Sequence, residues 1–167
     1  MSTGPAAAAV RLSVADGAAM RELGTVLARL LRPGDLVLLS GPVGAGKTTL
    51  AAGIGAGLGV RGPVTSPTFV IARVHPCLGP GPALVHVDAY RVGALEMDDL
   101  DLDTSLDESV TVVEWGDGKV EGLAPDRLQV RIERPPADAE PAPRTVTVTG
   151  TGSRWDGVDL GDTVRLA

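Results

Sequence analysis

Residues 41–50, GPVGAGKTTL, have the types and spacing of a loop that binds phosphate. They satisfy the pattern G-x-x-x-x-G-K-[ST] at Gly41, Gly46, Lys47 and Thr48. In such a loop, successive backbone N–H groups face phosphate oxygens, the lysine reaches the β- and γ-phosphates, and the hydroxyl ligates Mg²⁺. The chain has 22 glycines, so the bare pattern can arise by chance and the flanking elements must decide.

Lysine is scarce in this chain, which has thirteen arginines and two lysines. One of the two lysines is Lys47. A phosphate loop needs a compact ammonium on a flexible stem at this position, where the planar fork of arginine does not fit. The residue type therefore favours the functional interpretation of the loop.

Two acidic residues at the ends of apolar runs are candidates for holding a metal or the attacking water. Asp88 follows the run 84–87, and Glu114 follows the run 110–113. Phosphate-loop proteins place such an acid at the end of a neighbouring buried strand. Acids also lie at strand ends because the chain emerges into water there, so the pattern predicts only that at least one of the two is functional.

Other polar residues have a structural interpretation beside a chemical one. The Ser-Pro-Thr turn 66–68 lies where nucleotide switches sense a γ-phosphate, although the residue types alone favour an ordinary turn. His75 and His86 lack the spacing of a zinc site, so both are predicted to be structural. Seven acids in residues 96–108 indicate a solvated surface, with an acidic docking face as the alternative.

The hydrophobic pattern places the loop between a strand and a helix. Residues 35–40 form a continuous apolar run, typical of a strand covered on both faces. A helix is predicted over 47–58, closed by Gly59, and an earlier one from its cap Asp16 to about residue 31. An antiparallel hairpin is expected from two neighbouring strands around a Pro/Gly-rich turn. The strands outside the loop unit are predicted over residues 10–14, 68–75, 83–88, 110–114, 126–134 and 144–149.

A single domain is expected for residues 1–167, with 1–9 as a disordered leader, 135–143 as a flexible break and 144–167 as a C-terminal strand and tail. The net charge of −6 and the shortage of aromatic residues argue against direct binding of DNA or RNA. No apolar run approaches the ~18 residues of a membrane span. Cys77 is the only cysteine, so a cytoplasmic protein is expected.

Four motifs follow one another along the chain: GPVGAGKTTL (41–50), SPTF (66–69), HVDAYR (86–91) and VEWGDG (113–118). In their order and spacing, over residues 10–134, the chain resembles the bacterial TsaE family, whose members are small ATPases of tRNA threonylcarbamoyladenosine (t6A) biosynthesis. The resemblance implies an α/β, P-loop NTPase-like three-layer fold with a mixed parallel and antiparallel central sheet. It further implies ATP and Mg²⁺ as cofactors, TsaD and TsaB homologues as partners, and contact with tRNA only through their complex.

The resemblance also implies roles for individual residues. Lys47, Asp88 and Glu114 would act in ATP hydrolysis, which is expected to be slow without the partners. Thr48 and Glu114 would hold Mg²⁺. The phosphates would lie against the loop residues Gly44, Ala45, Gly46, Lys47, Thr48 and Thr49.

Further residues are implied at the edges of this site. Ser66 and Thr68 become a switch element, and Trp115 lies at the nucleotide or partner face. Gly17, at the start of the first helix, would lie on the adenine side. Pro42 departs from the family, which usually has an acid there, and this departure implies slower hydrolysis.

Three other functions are open to a chain with this loop. A small-molecule kinase usually has helices and an arginine-bearing lid after the loop, whereas strands follow here. A GTPase-type switch needs an Asn-Lys-x-Asp segment, which the sequence around Lys119 does not supply. A non-hydrolysing, nucleotide-dependent scaffold has the same sequence pattern as the ATPase and is separated from it only by experiment.

Overall fold

Seven β-strands, two α-helices and one short 3₁₀ helix (Ser153–Trp155) lie in the part of the chain that the computed structural model describes, residues 8–42, 45–60, 72–88, 108–114, 126–134 and 143–161. The helices are α1 (Gly17–Ala28) and α2 (Lys47–Leu58), and neither is long and apolar enough to cross a membrane. The strands are β1 (Ala8–Val14), β2 (Leu36–Ser40), β3 (Ala72–His75), β4 (Ala83–Asp88), β5 (Ser109–Glu114), β6 (Arg127–Glu133) and β7 (Arg144–Thr151).

The strands form one sheet in the order β1-β7-β6-β2-β5-β4-β3. The central four are parallel, since β2 pairs with β6 and β5, and β5 pairs with β4. The outer pairs, β1 with β7, β7 with β6 and β4 with β3, are antiparallel. The sheet is therefore mixed and the fold is α/β, as predicted. The hairpin is confirmed for residues 72–75 and 83–88, while its predicted part 68–71 lies outside the described residues.

The central strands β2 and β5 are buried along their whole length. Their sequences, LVLLS and SVTVVE, present apolar or β-branched residues to both faces, as a parallel strand covered on two sides requires. On one face Leu39 shares a hydrophobic cluster with Leu23 of α1 and Ile54 of α2. This packing aligns the carboxyl ends of β2 and β5 beside the start of α2.

Glycines let α1 and α2 approach each other closely. A Cβ on Gly24 would overlap the backbone of α2 at Leu50, and one on Gly53 would overlap the backbone of α1 at Arg21. The contact fixes α2, and with it the end of the glycine loop, against α1.

Two predicted helix caps, Asp16 at the start of α1 and Gly59 at the end of α2, are confirmed. Asp16 Oδ1 accepts a hydrogen bond from the Ala19 N–H at 2.8 Å, and Gly59 ends α2 with a φ of +77°. The first helix is shorter than predicted: α1 ends at Ala28. The N–H groups of residues 29 and 30 bond three residues back, which tightens the chain into a turn.

The strand β7 lies between β1 and β6, so Val148 pairs with Val10 on one side and with Val130 on the other. The prediction of a disordered leader over 1–9 was wrong at its end, because Ala8 and Ala9 pair with β7. Small residues carry little strand signal of their own, and here the backbone of β7 supplies the partner groups.

An arginine ties the segment after β7 to the start of β2. Arg154 Nε donates to Asp35 Oδ1 at 2.9 Å, and its Nη2 donates to Asp35 Oδ2 at 3.0 Å and to the Leu30 carbonyl at 2.7 Å. The guanidinium also lies 4.1 Å from the ring centroid of Trp155. The same carboxylate accepts from the Arg32 N–H at 2.7 Å, so this cluster, the Arg154–Asp35 clamp, anchors three segments together.

Candidate functional site

The glycine loop connects the carboxyl end of β2 to the start of α2. A glycine with positive φ lies at each end of the loop. Gly41 has a φ of +152°, and a Cβ there would lie 2.6 Å from the Ile132 carbonyl oxygen of β6. Gly46 has a φ of +119° and is the N-cap of α2. Gly46 has no side chain and makes no side-chain cap hydrogen bond at the start of α2, an arrangement typical of an anion-binding loop.

Lys47 lies folded over the loop, with only 5% of its surface exposed. Its Nζ donates to the carbonyl oxygens of Gly41 at 2.7 Å and Pro42 at 2.9 Å. The Pro42 carbonyl also accepts from the Ala45 N–H at 3.1 Å. The ammonium is therefore held within the loop by the loop's own backbone, close to the start of α2.

Thr48 and Glu114 meet where α2 begins and β5 ends. Thr48 Oγ1 lies 3.4 Å from Glu114 Oε1 and 3.5 Å from Oε2, and Glu114 is 4% exposed. The two side chains come from positions 66 residues apart, so the sheet, not local sequence, brings them together.

The donor set at this point fits magnesium. Mg²⁺ takes hard oxygen ligands at about 2.1 Å in octahedral geometry, in which neighbouring ligands are about 3 Å apart. The Thr48–Glu114 separation is a few tenths of an ångström above that edge. Within the described residues there is no group of three His, Cys, Asp or Glu side chains that could hold a metal alone. Two protein oxygens are nevertheless usual for Mg²⁺ bound to a nucleotide, whose phosphates and waters complete the shell.

Asp88, the second predicted acid, is the last residue of β4 and pairs in register with Glu114 of β5. The backbone thus places both acids at neighbouring carboxyl ends of parallel strands, where ligands of open α/β sheets bind. The side chain of Asp88 lies outside the described part of the structure.

A second basic residue lies beside the loop. A Cβ on Gly46 would lie 3.7 Å from Nη1 of Arg144, the first residue of β7, and 3.3 Å from Cε of Met20 in α1. Gly17, predicted on the adenine side, begins α1 one turn before Met20. The start of α1, the start of β7 and the end of the loop therefore converge. Gly44, Ser66, Thr68 and Trp115, also predicted in the site, lie outside the described residues.

His86, predicted to be structural, contacts Glu114 directly. Its Nε2 lies 2.5 Å from Glu114 Oε2, and the ring is completely buried. The alternation of β4 contained a usable signal: His86 is two residues before Asp88, so the two positions share a face of the strand. For Arg144 the local sequence held no such signal, because its neighbourhood depends on the pairing of β7.

Fold and site together define the class of the protein: an α/β domain of the P-loop NTPase-like type, with a glycine loop between a buried parallel strand and a helix. Residues 14–141 match the model of the family described as threonylcarbamoyl adenosine biosynthesis protein TsaE. The chain belongs to the TsaE family, whose role is in tRNA t6A biosynthesis.

Relatives extend this match over most of the chain. It is 67% identical over 143 residues to the tRNA threonylcarbamoyladenosine biosynthesis protein TsaE of Streptomyces coelicolor, which covers 84% of this chain and 97% of the relative. The TsaE protein of Bacillus subtilis is 37% identical over 137 residues, covering 81% and 82% of the two chains. The crystal structure of YdiB from the same organism is similar with a TM-score of 0.72 at 28% identity, covering 91% of this chain and 92% of that one.

Proposed function

We propose that this protein is a Mg²⁺-dependent ATPase of the t6A machinery that acts on or resets a complex of TsaD and TsaB homologues. The observation that carries the proposal is the convergence of Thr48 and Glu114 at the mouth of a loop that already holds a buried ammonium, Lys47. Hard oxygens, a lysine and uncapped helix N–H groups at one point are the parts that binding of a metal–triphosphate requires.

Each residue has a distinct task in this proposal. The backbone N–H groups from residue 44 to 49 bind phosphate oxygens, and Lys47 neutralises charge on the β- and γ-phosphates. Thr48 and Glu114 would hold Mg²⁺, which supplies charge neutralisation across the same phosphates. Asp88, next to Glu114 in register, orients the attacking water. Arg144, whose Nη1 lies 3.7 Å from the position of a Cβ on Gly46, adds a second cation beside the loop.

The net charge and the family both support the proposal that tRNA is contacted through partners. The chain has a net charge of −6, which disfavours contact with the RNA backbone. Binding to tRNA would therefore be indirect, with TsaD and TsaB homologues making the RNA contacts in the cytoplasm. Slow turnover by the isolated protein, accelerated by those partners, is the expected behaviour.

The proposal is tested by ATP turnover with and without purified TsaD and TsaB homologues. We expect stimulation by the partners and its loss in Lys47→Ala. The control is Arg73→Ala, which also removes one cation but from an exposed position on β3. Absence of stimulation, or an unchanged rate in Lys47→Ala, would contradict the proposal. Full support of tRNA modification by Glu114→Gln, with ATP bound but not hydrolysed, would instead identify the non-hydrolysing scaffold.

A further inference from the structure

The environment of His86 is unusual for a core residue. It lies on β4 between apolar neighbours, Val85 and Val87, and is 0% exposed. Its single polar contact among the described residues is Nε2 to Glu114 Oε2 at 2.5 Å, while Nδ1 is buried without a hydrogen-bond partner there. Burying a polar atom without a partner has a free-energy cost, so an apolar residue would suit this position better if packing were its only role.

The contact determines which ring nitrogen carries hydrogen. An ionised carboxylate only accepts hydrogen bonds, so Nε2 must donate to Glu114 Oε2. A hydrogen on Nδ1 would be an orphaned buried donor, and such N–H groups are rare in native structures. This geometry favours hydrogen on Nε2, with Glu114 Oε2 as its acceptor.

The hydrogen bond from His86 gives the two carboxylate oxygens of Glu114 different partners. Oε2 lies 2.5 Å from His86 Nε2, and both oxygens lie near Thr48 Oγ1, Oε1 at 3.4 Å and Oε2 at 3.5 Å, so Oε1 is the one that His86 does not engage. With Oε2 held, rotation of the carboxylate is restricted and Oε1 faces the point where α2 begins. A fixed carboxylate loses less conformational freedom when it binds a cation.

We infer that His86 is a positioning residue for the metal: it holds Glu114 through Oε2 so that Oε1 is presented, beside Thr48, to a divalent cation bound with the nucleotide. This inference rests on the proposed function, since it deepens the role of the same site. His86 does not touch the nucleotide or the cation in this scheme and acts only through Glu114.

The test measures binding of Mn²⁺, by its EPR signal, to the protein saturated with a non-hydrolysable ATP analogue. We expect His86→Leu to weaken Mn²⁺ binding about 10- to 100-fold, the usual effect of losing a partner of a metal ligand. His86→Gln, whose amide N–H can replace Nε2–H, should restore most of the affinity. Affinity for the analogue in EDTA should stay within about twofold in both variants, because the loop itself is unaltered.

Two results would overturn the inference: Mn²⁺ binding by His86→Leu within about twofold of the unaltered protein, or equal losses in the Leu and Gln variants. If His86→Leu does not fold, ¹⁵N NMR of the unaltered protein at neutral pH decides. A ring with hydrogen on Nε2 alone supports the inference, and a ring with hydrogen on Nδ1 alone overturns it.

Glu114→Gln separates this inference from the proposed function. Loss of Mn²⁺ binding in Glu114→Gln but not in His86→Leu would remove only the role of His86. Mn²⁺ binding that is insensitive to Glu114→Gln would remove the metal site itself, and with it the proposed function.

Discussion

At the scale of single residues, the site combines groups of two kinds. Lys47 and Thr48 lie next to each other in the sequence and are placed by the loop itself. Glu114, His86 and Arg144 come from three different strands, and the order of the sheet brings Glu114 and Arg144 to the loop and His86 to Glu114. Substitutions of Glu114, His86 or Arg144 therefore test the arrangement of the sheet as well as the role of the side chain.

Thr48→Val should separate metal binding from nucleotide binding. Valine keeps the shape of threonine but has no oxygen for a cation, so Mn²⁺ binding to the protein–analogue complex should weaken about tenfold or more. The backbone N–H groups are unaffected, and analogue binding in EDTA, followed by calorimetry, should be unchanged. Equal affinity for Mn²⁺ in the two proteins would contradict the assignment of Thr48 as a metal ligand.

Arg144→Ala should weaken nucleotide binding about tenfold, the size expected for one charge-assisted hydrogen bond to phosphate. The loss should shrink as salt concentration rises, because the guanidinium is partly exposed. Arg11→Ala is the matched control, since Arg11 lies on the neighbouring β1 but is 73% exposed and only approaches Glu133 at 3.9 Å. Equal nucleotide affinities for the two variants would place Arg144 outside the site.

At the scale of elements, the contact between α1 and α2 determines where the loop ends. The helices meet through Gly24 and Gly53, where neither tolerates a Cβ without movement of the opposite backbone. The sequence of α2 has a low intrinsic helix propensity, because each glycine in a helix interior costs up to about 1 kcal/mol relative to alanine. Close packing thus outweighs propensity here.

Gly53→Ala is therefore expected to lower the free energy of unfolding by about 1–3 kcal/mol, despite the better helix propensity of alanine. The matched control is Gly17→Ala in α1, where nothing lies within 4 Å of the added Cβ and the change should be neutral or slightly stabilising. Urea denaturation of both variants measures this. A stabilised Gly53→Ala protein would show that the helices are not in close contact at this point.

Most helices and strands could be predicted from local sequence signals. The predictions were wrong where an element's bounds depend on tertiary contacts. The strand, loop and helix around Lys47 carry strong local signals: an apolar run, glycines and a C-cap at Gly59. The end of α1 and the start of β1 were misplaced because they depend on packing and on β7. Glu114 was predicted because it lies at the end of an apolar run. The contact between His86 and Glu114 could not be predicted, because it depends on how β4 and β5 lie side by side.

At the scale of the whole molecule, the Arg154–Asp35 clamp connects the segment after β7 to the start of β2. The side chain of Arg154 is 18% exposed and that of Asp35 is 5% exposed, so the pair is largely shielded from solvent. Its fork geometry, two N–H groups on two oxygens, is the strong form of an ion pair.

Arg154→Ala should lower the free energy of unfolding by about 1–3 kcal/mol, because Asp35 and the Leu30 carbonyl both lose the hydrogen bonds that the guanidinium donates. Arg11→Ala, which breaks an exposed pair, should change it by less than about 1 kcal/mol. Both values come from urea denaturation at one salt concentration. Equal effects would mean that the clamp contributes no more than a surface pair.

The place of β7 between β1 and β6 has a consequence for synthesis on the ribosome. Among the described strands, β1 has no neighbour except β7, which ends at residue 151. The N-terminal strand must therefore wait, unpaired, until nearly all of the described chain has been translated. Arg144 arrives with the same late strand, so a nascent polypeptide stalled earlier would lack one of the groups proposed to grip nucleotide.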